Sequence, residues 1–181
     1  MRTKTRRRMG GETAANVVGA LARALVDAID ERAAEPVGQG ATGAAALVHL
    51  SKYEGENINA LRTPLDLSHP GCVRLVDRLE ENNLVARAEA PDGRAVTVEL
   101  TPGGAAAART ILRKRQQTLR DALGGLSARE LGLLGRLAGK VLTRMVHDEP
   151  HALRICRVCD YRVCPDGVCP VGIAVESAAP E

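Results

Sequence analysis

The chain has no tryptophan and no phenylalanine, and Tyr53 and Tyr161 are its only tyrosines. Large sheets draw on aromatic and β-branched side chains, so this scarcity argues against a mainly β fold. A core packed from alanine, leucine and valine suits helices better. No stretch approaches the roughly 20 apolar residues that span a bilayer. The basic opening MRTKTRRRMGGE is not followed directly by the apolar segment of a signal peptide. These absences predict a cytoplasmic protein with no membrane partner. A Ser-His-Asp order, a paired-carboxylate motif and a glycine-rich phosphate loop are missing as well, and no enzyme is expected.

The composition that remains is that of a soluble globular protein. Apolar residues make up 45% and charged residues 26% of 181 positions, which fits one domain or one domain plus a tail. The 25 basic and 22 acidic residues leave a net charge of only +3. The distribution is more telling. Arg2, Lys4, Arg6, Arg7 and Arg8 form a basic arm over residues 1–12, either lying on phosphate or solvated as a disordered terminus.

Val18, Leu21, Leu25 and Ile29 recur at helical spacing and predict a helix over 13–34, which Pro36 and the glycines of 38–43 then break. Short helices follow at 44–50, with Leu47 and Leu50 inward, and around Ile58, Leu61 and Leu65, where Pro64 disfavours helical geometry at Thr63. Glu54 to Asn57 reads as a turn. Ser68 caps a further helix with Val73, Val76 and Leu79 on one face. The period then changes to 2: Leu84–Ala90 and Ala95–Leu100 flank Asp92-Gly93, a hairpin signal, with Val96, Val98 and Leu100 on one face. Thr101-Pro102 opens a long helix that Gly124-Gly125 stops. Ser127 and Glu130 form a capping box for the next helix, which carries Leu131, Leu134, Ala138, Val141 and Met145 on one face. The order α-α-α-α-β-β-α-α, with three short helices before a hairpin, is the pattern of a winged helix-turn-helix, in which the helix before the hairpin enters the major groove. The expected fold is mainly α with a small β-hairpin wing. Long apolar-faced helices at both ends suit meeting a second copy.

The segments Leu67–Glu80 (LSHPGCVRLVDRLE), Asn83–Arg87 (NLVAR), Asp92-Gly93-Arg94 and Val98–Gly103 (VELTPG) resemble the MarR family of bacterial transcriptional regulators. The core match covers about residues 47–104, and the helix layout extends it to about 13–147. The resemblance implies a homodimer of winged helix-turn-helix lobes, here about 44–102, joined by dimerisation helices at about 13–34 and 103–147. It implies binding to an inverted repeat of double-stranded DNA, with repression as the expected outcome. Ser68 matches the cap of the recognition helix, and Arg74 a basic position on it that faces DNA; Arg78 lies one turn further along. Arg94 matches the wing arginine that enters the minor groove, Asp92 the carboxylate that orients it, and Arg87 a basic position on the first wing strand. The sequence departs from the family where threonines are frequent on the recognition helix: it has Gly71 and Val73 there, which shifts readout toward His69 and Arg74. Family members often bind a small ligand between the DNA lobe and the dimer helices, and such a ligand is a further expected partner. The lobe is not basic in bulk: residues 50–102 hold six Lys or Arg and nine Asp or Glu. Binding therefore depends on the placement of a few arginines, with the arm and Arg109, Arg113, Lys114 and Arg115 assisting.

Residues 148–181 form a cysteine-rich tail. Cys156, Cys159, Cys164 and Cys169 are spaced Cys-x2-Cys-x4-Cys-x4-Cys, the ligand spacing of a zinc knuckle with Cys164 in the histidine position. Four soft thiolates this close wrap one tetrahedral ion, and zinc is the first expectation. An iron–sulfur cluster is the alternative, because Pro165 and Pro170 each follow a cysteine, as occurs in such segments. Two further readings stay open. Cys156 and Cys159 form the Cys-x-x-Cys pair of a thiol–disulfide protein, although the βαβ surroundings of that class are missing. A metal-bearing tail also suits a protein-binding adaptor. Cys72, inside the recognition helix, reads as a small packing residue.

Overall fold

The fold is that of a computed structural model, which describes residues 10–34, 38, 40–89, 96–164 and 167–178. It is mainly helical. In chain order the elements are α1 (Gly11–Ala34), α2 (Gly40–Leu50), β1 (Glu56–Asn57), α3 (Arg62–Leu65), α4 (His69–Glu81), β2 (Val85–Glu89), β3 (Val96–Leu100), α5 (Pro102–Leu123), α6 (Ala128–Met145), α7 (Glu149–Cys156) and α8 (Pro170–Ala178). The basic arm up to residue 9 and the hairpin tip, residues 90–95, lie outside the described residues.

The centre of the lobe is α2. Every residue from Gly43 to Leu50 is buried, so beyond its first turn this helix has no solvent face. Leu47, Leu50, Leu61, Leu75, Leu79 and Ile111 are the largest apolar side chains sealed around it. Burying one leucine contributes about 1.5–3 kcal/mol, so this layer dominates the favourable side of lobe stability. α1 crosses both α2 and α5, and Arg32 pairs with Asp121 at 3.3 Å where α1 and α5 run together. The sheet is antiparallel with strand order β1-β3-β2. Glu56 and Arg87 both lie opposite Val98, from the two sides of β3.

Four local expectations are corrected. Glu54–Asn57 is more than a turn, because its second half adds β1 as a third strand. Pro64 does not stop α3: it is the third residue of a one-turn helix, where its missing N–H would be unpaired in any case. The buried face of α4 is Cys72, Leu75, Val76 and Leu79, with Val73 only half-buried. The helix is rotated from the expected face because Cys72 and Leu75 are the residues that reach α2's layer. On β3, Val96 is exposed and Thr97 is buried. Val96 sits at the free end of the ladder opposite Glu89, whereas Thr97 is flanked by Asn57 and Ala88 and donates its hydroxyl to the Ala88 carbonyl at 3.2 Å. The tail also holds more structure than its composition suggests. α7 and α8 flank the cysteines and bury Ala152, Cys156 and Val171 in a second small apolar cluster.

Helix starts follow their caps. The side chains of Ser68, Thr101 and Ser127 accept the backbone N–H groups of Gly71, Gly104 and Glu130, each cap contributing about 1 kcal/mol. Gly104 is set tightly in the first turn of α5. A Cβ there would collide with the carbonyl oxygen of Leu84 and come within 3.2 Å of Leu100 Cδ2. At Gly103 an added Cβ meets Asn83 O at 3.3 Å, a contact that a small shift relieves. Gly104→Ala is therefore expected to lower stability by about 1–3 kcal/mol, as overpacking does, and Gly103→Ala by much less. Thermal melts of the two variants beside the parent check this, and equal melting temperatures would contradict the close approach.

Candidate nucleic-acid interface

α4 is amphipathic by construction. With Cys72, Leu75, Val76 and Leu79 committed to the core, the opposite face presents Ser68, His69, Arg74 and Arg78, all exposed. The N-terminal end of the helix is held from two sides. Ser68 Oγ accepts the Gly71 amide at 3.3 Å, and His69 Nδ1 lies 2.9 Å from Asn59 Oδ1, which ties the helix start to the loop after β1. At Gly71 a side chain would press on Ser68 Oγ at 3.3 Å and Leu67 Cβ at 3.6 Å. The glycine therefore leaves the cap undisturbed and the helix end low and approachable.

Arg87 is placed differently from the other basic residues. Its guanidinium turns back from β2 onto α4, reaching Asp77 Oδ1 at 2.5 Å and pairing with Glu80. Its backbone N–H also donates to Glu80 Oε1 at 3.3 Å. The hydrogen bond that the guanidinium donates to Asp77, with Glu80 adding to it, holds Arg87 firmly in its charged form. Asp77 and Glu80 are three residues apart and thus share one helix face. That spacing is the sequence signal that identifies them as one partner for Arg87. The consequence is electrostatic. Two of the three carboxylates on α4 share the Arg87 guanidinium, which offsets half of their charge, while Glu81 at the end of the helix stays exposed. Asp92 and Arg94 lie outside the described residues.

Beside the lobe, the four tail cysteines come together. Cys156 closes α7, and the Cys159 amide donates to its carbonyl at 2.8 Å. The Cys164 amide donates to Asp160 O at 3.2 Å, and Cys169 immediately precedes α8. All four are free thiols. Electrostatically they act on one another mainly in two pairs, Cys156 with Cys159 and Cys164 with Cys169. Among the described residues no three of them are closed around a common point as metal ligands. The hydrogen bond from Cys156 lowers Cys159 to about 6, and burial raises Cys164 to about 11. Cys72 is wholly buried in the lobe core, and that burial pushes its thiol up.

No family model matches the chain. Solved structures do. A MarR family protein from Bacillus stearothermophilus is similar at 25% identity and a TM-score of 0.62, over 76% of this chain and 99% of that one. A probable transcriptional regulator from Pseudomonas aeruginosa is similar at 28% identity and a TM-score of 0.53, over 68% and 96%. A putative MarR family transcriptional regulator from Listeria monocytogenes, solved with a 26mer DNA, shares the fold at 20% identity and a TM-score of 0.54, over 70% and 84%. The chain thus has the winged-helix fold of MarR-type transcriptional regulators.

Because the carboxylates paired with Arg87 are partly exposed, the pairs contribute about 1 kcal/mol to stability, and salt weakens them. Arg87→Met is expected to lower the melting temperature by a few degrees at low salt. In about 1 M salt, where the screening length falls to about 3 Å, most of that difference should vanish. A salt-independent loss would mean that Arg87 acts through packing alone.

Proposed function

We propose that this protein is a homodimeric regulator of transcription that binds an inverted repeat of double-stranded DNA and represses by occupying it. The observation that carries the reading is the exposed face of α4. It is a capped helix directly before a hairpin, with Ser68, His69, Arg74 and Arg78 outward and two of its three acids, Asp77 and Glu80, engaged by Arg87. In this reading Arg74 and Arg78 meet phosphate and base edges in the major groove. Arg94, with Asp92 beside it in sequence, serves the adjacent minor groove, and Arg87 acts as a scaffold. The relative solved with DNA, which shares the fold, supports the same presentation.

The dimer assignment draws on α1 and α6. Val18 and Leu21 on α1 are exposed, as are Leu131, Val141 and Met145 on α6, and α6 buries none of its residues within one chain. Leu25 and Ile29 are half-buried instead, whereas Val26 is exposed, so the open apolar surface of α1 reaches past its middle. Apolar stripes of this extent suit a second copy of the chain. A cavity of about 590 Å³ bordered by Val26, Ile29, Ala45, Leu67, Arg154 and Ile155 has the size of a small-molecule site and gives a ligand a place to act between α1 and the lobe.

Light scattering is expected to report a dimer at micromolar concentration, and a 19.1 kDa particle would overturn the assembly. A duplex selected by the protein from a random-sequence library should contain two half-sites about one helical turn apart. Its affinity should fall steeply with salt. Arg74→Ala and Arg94→Ala should each weaken binding about tenfold or more, equivalent to at least about 1.4 kcal/mol, with unchanged melting temperatures. Failure to select any duplex, or unchanged affinity in both folded variants, would reject the assignment.

A further inference from the structure

The cysteine-rich tail touches both functional parts of the molecule. On one side α8 lies on α6: Thr143 Oγ1 donates to the Pro170 carbonyl at 3.4 Å, and the Pro170 ring sits over Gly139. On the other side α7 packs on α3, Arg154 approaches Asp66 at 3.8 Å, and Val158 rests against the main core. Asp66 is the left-handed residue that ends α3, two positions before the cap of α4. Between these contacts stands Tyr161. Lys52 Nζ lies 3.6 Å from its ring centre, the Tyr53 ring meets it edge-on at 6.3 Å, and its hydroxyl donates to Cys156 O at 3.3 Å. Whatever fixes the cysteines therefore fixes the position of α6 relative to the segment that launches α4.

The means of fixing them is weak as it stands. α7 has 8 residues and α8 has 9, both below the length at which a helix is stable alone. The cluster they bury contains only Ala152, Cys156 and Val171 as fully covered members. Thiol–thiol hydrogen bonds add little to it. Three of the four tail cysteines, Cys156, Cys164 and Cys169, nevertheless line one cavity of about 200 Å³ with Tyr161, Lys52 and Tyr53, and the Cys159 amide is bonded to the Cys156 carbonyl. Arg115 reaches the same cluster from α5, close enough to act electrostatically on Cys159 and Cys164. Its Nε is buried with no hydrogen-bond partner.

We propose that Cys156, Cys159, Cys164 and Cys169 bind one zinc ion as a tetrathiolate, and that this ion clamps α7 and α8 between α6 and the α3–α4 junction, so that metal occupancy sets the DNA affinity of α4. Binding releases to solvent whatever protons the four sulfurs still hold and changes no oxidation state. The resulting centre carries a charge of −2, which Arg115 and Lys52 offset. Closing the shell requires the four sulfurs to swing about one ion at about 2.3 Å per bond, with loops of two and four residues between consecutive ligands. The regulatory half of the proposal rests on the reading of α4 as a DNA-binding helix; the metal half does not.

The test uses the full chain, purified reduced and without oxygen. Elemental analysis should give one zinc per chain, and cobalt(II) added to the metal-free wild type should produce the visible bands of a tetrahedral thiolate site. Zinc should displace them. Cys164→Ser with Cys169→Ser should abolish those bands, whereas Cys72→Ser should leave them. Removing zinc with a chelator should speed amide exchange in α7, α8 and α3, and should weaken binding to the library-selected duplex at least tenfold, with recovery on adding zinc back. Reduced protein that binds neither zinc nor cobalt overturns the metal site. So does a brown, air-sensitive preparation holding iron and sulfide, or a Cys156–Cys159 disulfide as the stable form. Stoichiometric zinc with the same DNA affinity before and after chelation overturns the regulatory half. Zinc binding in a protein that selects no duplex in either form also overturns that half through the DNA reading on which it rests, and leaves the clamp standing.

Discussion

A core without large rings fills space by bringing backbones close, and the rest of the structure depends on that constraint. α2 meets it with a run of alanines ending in Leu47, Val48 and Leu50, all sealed from water. Small side chains let α1, α5 and α3 approach this helix directly, and interiors packed to crystal-like density tolerate little volume error. The same economy sets Gly104 beneath the Leu84 carbonyl. It also lets Cys72 and Leu75 on α4 reach the α2 layer, which fixes the rotation of α4 and thereby which of its residues face out. The identity of the exposed arginines is thus decided from inside the lobe.

The electrostatics are economical as well. A lobe with more acids than bases in residues 50–102 repels phosphate at long range, so bulk charge does not recommend it as a DNA reader. What changes locally is the pairing. Arg87 spends its charge on Asp77 and Glu80, and one basic residue turned onto α4 offsets part of the acidic charge beside the two that face outward. Arginine suits this task because its planar fork serves two carboxylates at once.

The periodicities of the sequence located α1, α4, β2, β3, α5 and α6 to within a few residues, because each is bounded by a cap, a glycine pair or a change of period. Ser68, Thr101 and Ser127 were legible as caps for the same reason. The misread parts are those decided by distant contacts. β1 exists only because β3 offers it an edge, α3 is too short for any period to show, and the face of α4 is set by α2. α7 and α8 were hidden by a composition dominated by cysteine, proline and small residues. Among the site residues, the outward positions of His69, Arg74 and Arg78 follow from helix geometry. The inward turn of Arg87 needed the three-dimensional placement of Asp77 and Glu80.

Cys72 separates itself from the other thiols by depth. It has no exposed surface, and its burial keeps it protonated, so an alkylating reagent reaches it only when α4 lifts from α2. The tail thiols are partly open to solvent, Cys156 least. The chain therefore contains its own clock. Slow labelling at residue 72 measures how often the DNA-facing helix detaches from its support, in the way that slow amide exchange measures the opening of a cooperative unit. Fast labelling elsewhere reports only the state of the tail.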